Sequence, residues 1–377
     1  MILSLKKETE ALGYPDVKKM PAKDTSAIYI HIPFCKRECY YCNFTKFKYE
    51  EDSAKKYADL LCSELEMRKN SKHEINTVYF GGGSPAVIPA ASLEKIIVFL
   101  NDNFRTDIVT EMTIEINPEE CNKEKLNFFK DLGFNRVSVG VQSFYDPDLR
   151  YLSRNHSGAI ALEAVKTVLK TGFDSVSVDF IIGIPGQEIE TLEKNISIIT
   201  SSDVNHVSAY LLEGVKEFGN RPQPDADHQS YIYDIFREKI SEKGFEQYEI
   251  SNYSRDGNIS KHNMNYWESG NYIGAGLSAS GYEDEIDYTN HSNMGDYGRS
   301  VRNNIIPVKE RTKNDPLKRA LVTGLRLSKG IEKDKFAFYE PGIRKLIEEG
   351  FLEEMKNSYR VIPSRMVVLN EILSYLI

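Results

Sequence analysis

Six short stretches rich in β-branched and aromatic residues recur between residues 27 and 213, and amphipathic stretches separate them. Alternation of strand and helix is typical of parallel βα units joined by right-handed crossovers. Six units are too few for a closed eight-unit barrel, so the pattern predicts an α/β fold, either a partial barrel or a wound sheet. The predicted strands are Ala27–Phe34, Thr77–Gly83, Glu111–Pro118, Arg136–Phe144, Ser175–Pro185 and His206–Glu213. The predicted helices are Ala54–Arg68, Leu93–Asn101, Glu124–Leu132, Ala159–Thr171 and Glu190–Ile199.

The pattern changes after residue 213. A Gly- and Pro-containing stretch of mixed charge, Glu217–His228, predicts a loop or linker, and a helix is predicted at Ser230–Lys243. Further along, helices are predicted at Leu317–Leu327 and Asp334–Glu349, followed by two short strands able to pair as a hairpin. This tail is typical either of a small winged-helix-like domain or of a helical cap on the barrel.

We therefore expect four regions. An N-terminal extension covers 1–24, a core barrel covers 25–215, a linker and Gly/Asn/Tyr-rich segment covers 216–310, and a smaller, mainly helical C-terminal domain covers 311–377.

Composition narrows the class of protein. Hydrophobic residues make up 41% and charged residues 28%, which is the balance of a folded globular chain. The net charge of −8 argues against a nucleic-acid partner. No apolar run reaches the ~18 residues of a membrane span, and no export signal is visible, so we expect a cytoplasmic protein. In a reducing compartment, grouped cysteines are more often metal ligands than disulfides.

Three of the five cysteines lie on one loop after the first predicted strand. Cys35, Cys39 and Cys42 have the spacing C-x3-C-x2-C, which lets three sulfurs face a common centre. Thiolates favour zinc or iron–sulfur sites, and an iron–sulfur cluster with only three cysteines keeps one iron open to another ligand. The alternative is a structural zinc site with His31 as the fourth ligand. Cys62 and Cys121 lie in or next to predicted helices and are expected to be plain thiols.

Polar or glycine residues also end the next predicted strands. In α/β folds these carboxyl ends meet at one edge, where ligands bind. The second strand ends in Gly-Gly-Gly-Ser-Pro, which allows close approach of the backbone to a ligand. A carboxylate such as Asp179 within an apolar strand is costly unless it is paired or bound to a ligand. Glu115 and Asn117 share one face of the third strand, and Gln142 ends the fourth.

The motif Y-x-H-I-P-F-C-x3-C-x2-C followed by G-G-G-S-P resembles the radical S-adenosylmethionine (SAM) superfamily, in the branch of oxygen-independent coproporphyrinogen oxidases and their relatives. The resemblance covers Tyr29 to the C-terminus and implies a partial (βα)6 barrel. It also implies that Cys35, Cys39 and Cys42 hold a 4Fe–4S cluster whose open iron binds SAM. The SAM contacts that it implies are Tyr29, Tyr41, Gly82, Gly83, Ser84, Glu115, Gln142, Arg154 and Asp179.

Two details separate the groups within that branch. The oxidases carry a further cysteine two positions after the third ligand, where this chain has Phe44. The segment Lys261–Trp267 is similar to the H-N-x-x-Y-W motif of the haem chaperone group HemW. One departure is Ser280, at a position where a histidine is expected. The resemblance thus favours the chaperone group over the oxidases, and implies haem contacts by His262, Tyr266 and Trp267.

We therefore expect a protein that binds haem and a SAM-ligated 4Fe–4S cluster and delivers haem to an acceptor protein. Two alternatives remain. One is a coproporphyrinogen oxidase, which Phe44 disfavours, and the other is a methyltransferase-like radical SAM enzyme acting on a small aromatic or tetrapyrrole substrate. The resemblance also implies an electron donor such as a flavodoxin or ferredoxin, and leaves peripheral membrane contact open.

Overall fold

The computed structural model describes residues 25–69, 74–214 and 222–377, so the extension predicted at 1–24 lies outside the described residues. Its strands are β1 (Thr25–Ile32), β2 (Phe34–Cys35), β3 (Phe47–Lys48), β4 (Glu74–Gly82), β5 (Glu111–Ile116), β6 (Arg136–Gln142), β7 (Ser175–Ile182), β8 (His206–Leu211), β9 (Glu246–Gln247), β10 (Asn252–Ser254), β11 (Asn271–Ala275), β12 (Ser280–Glu283), β13 (Ile286–Asn290), β14 (Val308–Lys313), β15 (Ile331–Glu332), β16 (Leu352–Glu354) and β17 (Ser358–Val361). Its α-helices are α1 (Glu51–Arg68), α2 (Ala90–Asn103), α3 (Lys123–Asp131), α4 (Asp146–Tyr151), α5 (Gly158–Thr171), α6 (Ile189–Thr200), α7 (Ala226–Ser241), α8 (Lys261–Trp267), α9 (Met294–Arg302), α10 (Pro316–Gly324), α11 (Glu340–Glu348) and α12 (Leu369–Leu376).

The six predicted barrel strands are all present and are parallel neighbours in the order β1-β4-β5-β6-β7-β8. This confirms the α/β class and the six-unit partial barrel. The sheet also continues beyond the predicted strands. The strand β11 pairs parallel to β1 on its outer side, and β12, β13 and β14 extend that edge antiparallel.

Local sequence explains the crossover helices, as α5 shows. Ser157 caps its start, because the hydroxyl oxygen accepts a hydrogen bond from the amide of Ile160. Gly172 ends it with φ +75°, a left-handed conformation that glycine adopts without strain. The apolar residues between them recur at helical spacing and face the sheet, and those that are buried are Ala161, Ala164, Val165 and Val168.

The two ends of the barrel are the reference frame for the site. We call the C-terminal ends of β1 and β4–β8 the mouth, and their N-terminal ends the floor. The helix α8 lies against the floor, because Glu111, the first residue of β5, accepts hydrogen bonds of 2.9 Å from the amides of Lys261 and His262.

The C-terminal region combines helices α10–α12 with a small antiparallel sheet in the order β15-β17-β16. The predicted hairpin is therefore present, as β16 and β17. Leu317, Leu321 and Ile343 of this region belong to the same continuous hydrophobic core as the barrel strands. The predicted division of the chain at residues 215 and 310 stays a prediction. No helix among the described residues has the length and hydropathy to cross a membrane.

Candidate functional site

The loop that carries the three cysteines is folded back on itself at the mouth. Phe34 and Cys35 pair in parallel with Phe47 and Lys48, and the amide of Tyr49 donates to the carbonyl of Cys35 at 2.8 Å. Within the loop, the amide of Cys42 donates to the carbonyl of Cys39 at 3.3 Å. These bonds close the loop on both sides of the cysteines.

The thiols are close enough to influence one another. Burial, together with the neighbouring Cys42 and Cys39, raises the pKa of Cys35 to about 12. Burial likewise raises the pKa of Cys42. Thiolates at this place therefore need a cation, and three soft sulfur donors fit an iron–sulfur cluster. In the described parts of the chain, no three His, Cys, Asp or Glu side chains form a group able to hold one metal ion. A 4Fe–4S cluster binds each thiolate through a different iron, so it does not need single-ion spacing.

His31 has no free ring nitrogen for a zinc ion. Its Nε2 donates to the carbonyl of Thr45 at 3.1 Å, and Nδ1 therefore accepts from the hydroxyl of Tyr29 at 3.0 Å. Burial lowers the pKa of His31, in keeping with a neutral ring. The arrangement disfavours the alternative of a zinc site with His31 as the fourth ligand.

The glycine turn at the end of β4 lets the cysteine loop approach closely. A Cβ on Gly82, whose φ is +114°, would lie 2.6 Å from the His31 ring, and one on Gly83 would lie 2.9 Å from Cys35 Sγ. The amides of this turn donate within the protein. That of Gly82 donates to Glu115, and those of Gly83 and Ser84 donate to the carbonyls of Ile32 and Phe34. The role visible for the turn is thus packing rather than presentation of free amides.

The end of β5 and the residues that follow it hold other parts of the site in place. Glu115 accepts from the hydroxyl of Tyr79 at 2.8 Å and from the amide of Gly82 at 3.1 Å. Burial raises the pKa of Glu115 to about 7, and the nearby carboxyl of Asp179 adds to the shift. Glu120 accepts from the hydroxyl of Ser84 at 2.5 Å. Glu115 and Glu120 thereby hold β4 and the glycine turn that follows it.

Arg154 joins the cysteine loop to the strand ends. Its Nη2 donates to Asn117 Oδ1 at 2.6 Å and to the carbonyl of Gly140 at 2.9 Å, while Nη1 lies 3.6 Å from Cys39 Sγ and 3.4 Å from the Tyr41 hydroxyl. Its buried Nε has no hydrogen-bond partner among the described residues. A buried cationic donor left open suits an anionic group of a ligand, such as a carboxylate.

Gln142 is the strained residue of the mouth. It has φ +66°, in the left-handed region that a residue other than glycine rarely adopts, and only 8% of its surface is exposed. Its buried Oε1 accepts no hydrogen bond from any described residue. Strain together with an unpaired acceptor is typical of a ligand-binding position.

Asp179 is held by hydroxyl groups of the neighbouring strands. Ser138 donates to both carboxylate oxygens at 2.9 Å, and Ser177 donates to one of them at 3.2 Å. Burial raises the pKa of Asp179 above its ordinary range. The structure thus places at or next to the mouth the three cysteines predicted to hold the cluster and the residues predicted to contact SAM, which are Tyr29, Tyr41, Gly82, Gly83, Ser84, Glu115, Gln142, Arg154 and Asp179.

The predicted haem residues lie at the other end. His262 is 1% exposed, and its ring nitrogens lie 2.8 Å from the Thr77 hydroxyl and 2.6 Å from the Tyr266 hydroxyl. Burial, with the charge of Arg136, lowers the pKa of His262 to about 3. The ring is neutral, so one nitrogen donates and the other accepts, and iron ligation would require one of these bonds to break. Trp267 is covered by the guanidinium of Arg326, which lies 4.3 Å from its ring centre. The haem role of this segment stays a prediction.

Sequence reasoning missed several partners of the site. It did not assign Asn117, which accepts from Arg154, or Glu120, which accepts from Ser84. It also left out the pair of Glu119 and His156, whose Oε2 and Nδ1 lie 3.3 Å apart. The available signal was a run of polar residues, E-I-N-P-E-E, directly after a buried strand.

Comparison with known proteins gives a consistent picture. The profile of the radical SAM superfamily matches residues 29–199. The heme chaperone HemW of Lactococcus lactis is 30% identical over 331 residues, covering 84% of this chain and 85% of that protein. HemW of Bacillus subtilis is 29% identical over 91% of this chain and 97% of its own length. The Escherichia coli coproporphyrinogen III oxidase HemN, a radical SAM enzyme, shares the fold with a TM-score of 0.82 at 18% identity, covering 93% of this chain and 90% of that one.

Proposed function

Because this chain belongs to the radical SAM superfamily, in the branch that includes HemN and HemW, we propose that it binds haem and delivers it to an acceptor protein. The observation that carries the proposal is the similarity to HemW chaperones, which spans most of both chains. Phe44 adds to it, because the oxidases of the branch carry a cysteine at that position.

The proposal includes a 4Fe–4S cluster on Cys35, Cys39 and Cys42, with SAM bound beside it at the mouth. The cluster supplies an iron site and an electron when it is bound. The chain's own contribution is to hold the ligand. Arg154 offers an unpaired cationic donor and Gln142 an unpaired acceptor, so together they suit an amino acid moiety that has both a carboxylate and an amino group.

For haem, the surface of the cysteine loop offers suitable chemistry. Phe44 is 64% exposed and Tyr40 is 47% exposed. The cationic side chains of the loop outnumber its one acidic residue, Glu38, and they are Lys36, Arg37, Lys46 and Lys48. A flat apolar macrocycle with two carboxylates favours aromatic contacts and nearby cations. We therefore propose the cysteine loop as the first haem contact, with His262, Tyr266 and Trp267 as the second candidate.

The proposed function requires two protein partners. Haem delivery needs an acceptor protein, and reduction of a cluster needs an electron donor such as a flavodoxin or ferredoxin. We propose a cytoplasmic setting for both encounters, with no nucleic-acid partner, in keeping with the charge of −8.

The test is haem titration of the anaerobically reconstituted protein, followed by mixing with apomyoglobin as a model acceptor. We expect a shifted Soret band on binding and transfer of that absorbance to the acceptor. SAM-dependent conversion of coproporphyrinogen would instead identify an oxidase. Failure to bind haem at micromolar concentrations would overturn the chaperone proposal.

Single variants separate the two haem contacts. Phe44→Ser should weaken haem binding, whereas Ile305→Ser, which changes another exposed apolar side chain (58%) outside the mouth, should leave it unchanged. If only His262→Ala weakened haem binding, the contact would lie at the floor and the loop assignment would be wrong.

A further inference from the structure

His156 lies directly behind the strained end of β6. It is 5% exposed and lies in the loop between α4 and α5. Its Nε2 donates to the carbonyl of Val141 at 3.0 Å, and its Nδ1 faces Oε2 of Glu119 at 3.3 Å. The ring thus lies between two acceptors, a carbonyl that can only accept and a carboxylate.

The Val141 carbonyl belongs to the peptide that leads into Gln142. It also accepts from the amide of Ser143 at 2.9 Å, and the pairing with β7 shifts register between Val139 and Gln142. Left-handed backbone at a glutamine persists only where the surroundings fix it. The His156 bond is the side-chain contact that fixes this peptide from behind.

Glu119 links the same support to Arg154. Burial alone would raise the pKa of Glu119, but the adjacent His156 ring and the charge of Arg154 outweigh burial, and the net effect is a lowered pKa and an ionised carboxylate. The Gly140 carbonyl, two residues before Gln142, accepts from Arg154. Gln142 and Arg154, the two residues of the mouth with unpaired atoms, are therefore both connected to the pair of His156 and Glu119.

We infer that His156 is a positioning residue of the mouth, which together with Glu119 holds the Val141–Gln142 peptide so that the Gln142 side chain faces the bound ligand. This inference rests on the proposed function, since the ligand is SAM. It makes no use of the cluster, because the two polar contacts of His156 are with Val141 and Glu119.

The alternative is that His156 serves stability alone. A double-mutant cycle distinguishes the two, because a residue that acts through Gln142 has no effect once that side chain is gone. Gln142→Gly is the suitable partner, since glycine adopts φ +66° without strain and keeps the turn. Tyr233→Phe is the matched control. Tyr233 is also buried, and its hydroxyl donates to the carbonyl of Ile250 at 2.9 Å, so this variant removes a buried bond from a side chain of α7 to a backbone carbonyl, rather than one beside Gln142.

The measurement is SAM affinity of the anaerobically reconstituted protein by calorimetry, with melting temperature recorded for each variant. His156→Leu should weaken SAM binding about tenfold in the natural background and leave it unchanged in the Gln142→Gly background. His156→Gln, whose amide can still donate to the Val141 carbonyl, should recover part of the affinity. Tyr233→Phe should lower only the melting temperature.

An equal loss of affinity in both backgrounds, or no loss in either, would overturn the inference. If His156→Leu does not fold, His156→Gln carries the same cycle with a smaller expected loss. Absence of SAM binding by the unaltered protein would instead count against the proposed function, so the two failures are distinguishable.

Discussion

The mouth and the floor of the barrel are both lined by polar side chains, but they use their hydrogen-bonding groups differently. At the floor, the two nitrogens of His262 are bonded, and Glu111 accepts from two backbone amides of α8. At the mouth, Gln142 and Arg154 keep buried atoms without partners. The floor also has such atoms, among them Nε of Arg136 and Nε1 of Trp267. Both side chains make other contacts, since Nη1 of Arg136 donates to Ser175 and the Trp267 ring is covered by Arg326.

The difference indicates a division of labour. Groups that are bonded within the protein contribute to stability, and their removal leaves a partner unsatisfied. Groups held in place without a partner cost stability and are retained where a ligand completes them. We therefore expect substitutions at the floor to lower stability, and substitutions at the mouth to lower binding.

The largest expected effect is at the cysteine loop. Cys35→Ser, Cys39→Ser or Cys42→Ser should abolish incorporation of the cluster, because each removes one of three thiolate ligands. The unaltered protein should take up about four irons per chain with broad absorbance near 400 nm, as thiolate-bound clusters do. Iron analysis and absorbance after anaerobic reconstitution provide the measurement.

Cys62 and Cys121 are the controls for that experiment. Cys62 lies within α1, and Cys121 donates weakly to the carbonyl of Asn117. Their serine variants should keep full iron content. If the unaltered protein bound one equivalent of zinc and no iron, the assignment of a 4Fe–4S cluster to the three cysteines would be wrong.

At the floor, His262→Ala should lower the free energy of unfolding by about 2–4 kcal/mol. The variant loses the hydrogen bonds with Thr77 and Tyr266 and the stacking on Tyr79, whose ring centre is 5.0 Å away. Urea unfolding measures the loss, while iron content should stay unchanged. If the variant had the stability of the unaltered protein but bound haem more weakly, the floor would be a binding surface, and its side chains would not serve stability alone.

At the mouth, we expect a substitution to weaken ligand binding rather than to lower stability. Arg154→Ala should weaken SAM binding by about 1.5–3 kcal/mol through loss of a charge-assisted contact. Calorimetric titration measures that affinity. The matched control is Arg326→Ala, which removes a cation near α8 instead. SAM affinity that is unchanged in Arg154→Ala would remove this residue from the proposed site.

Most of the barrel could be predicted from the sequence, because its strands are buried and apolar runs with turn residues at their ends. The predicted strand at Arg136–Phe144, for example, is β6 at Arg136–Gln142. The parallel strand β11 was missed, since five residues that include a glycine give little local signal and the pairing with β1 spans more than 200 residues of chain. Such pairings depend on tertiary contacts rather than on local pattern.

For the site, residue types were easier to predict than their partners. Spacing alone gathered the three cysteines on one loop, and strand ends pointed to Gln142 and Asp179. The motif also pointed to His262 and Tyr266, but nothing in the sequence indicated that His262 meets Thr77 at the floor. The direction in which a side chain points across a barrel is set by which strands become neighbours.

The smallest expected effect is the pH dependence contributed by Glu115. Its folded-state pKa of about 7 lies above the ordinary value of 4.5, because the carboxyl is buried beside Asp179. Between these values the folded protein holds a proton that the unfolded chain has lost, so stability decreases as pH rises from about 4.5 to 7 and is level above. Glu115→Gln cannot ionise and should lack this decrease. The free energy of unfolding of the unaltered protein should therefore fall, relative to the variant, by on the order of 1–2 kcal/mol between pH 5 and 8. Urea unfolding at each pH measures the difference, with the exposed Glu163→Gln as the control. A constant difference across this range would mean that Glu115 is ionised throughout, and that the mouth is more polar than its burial indicates.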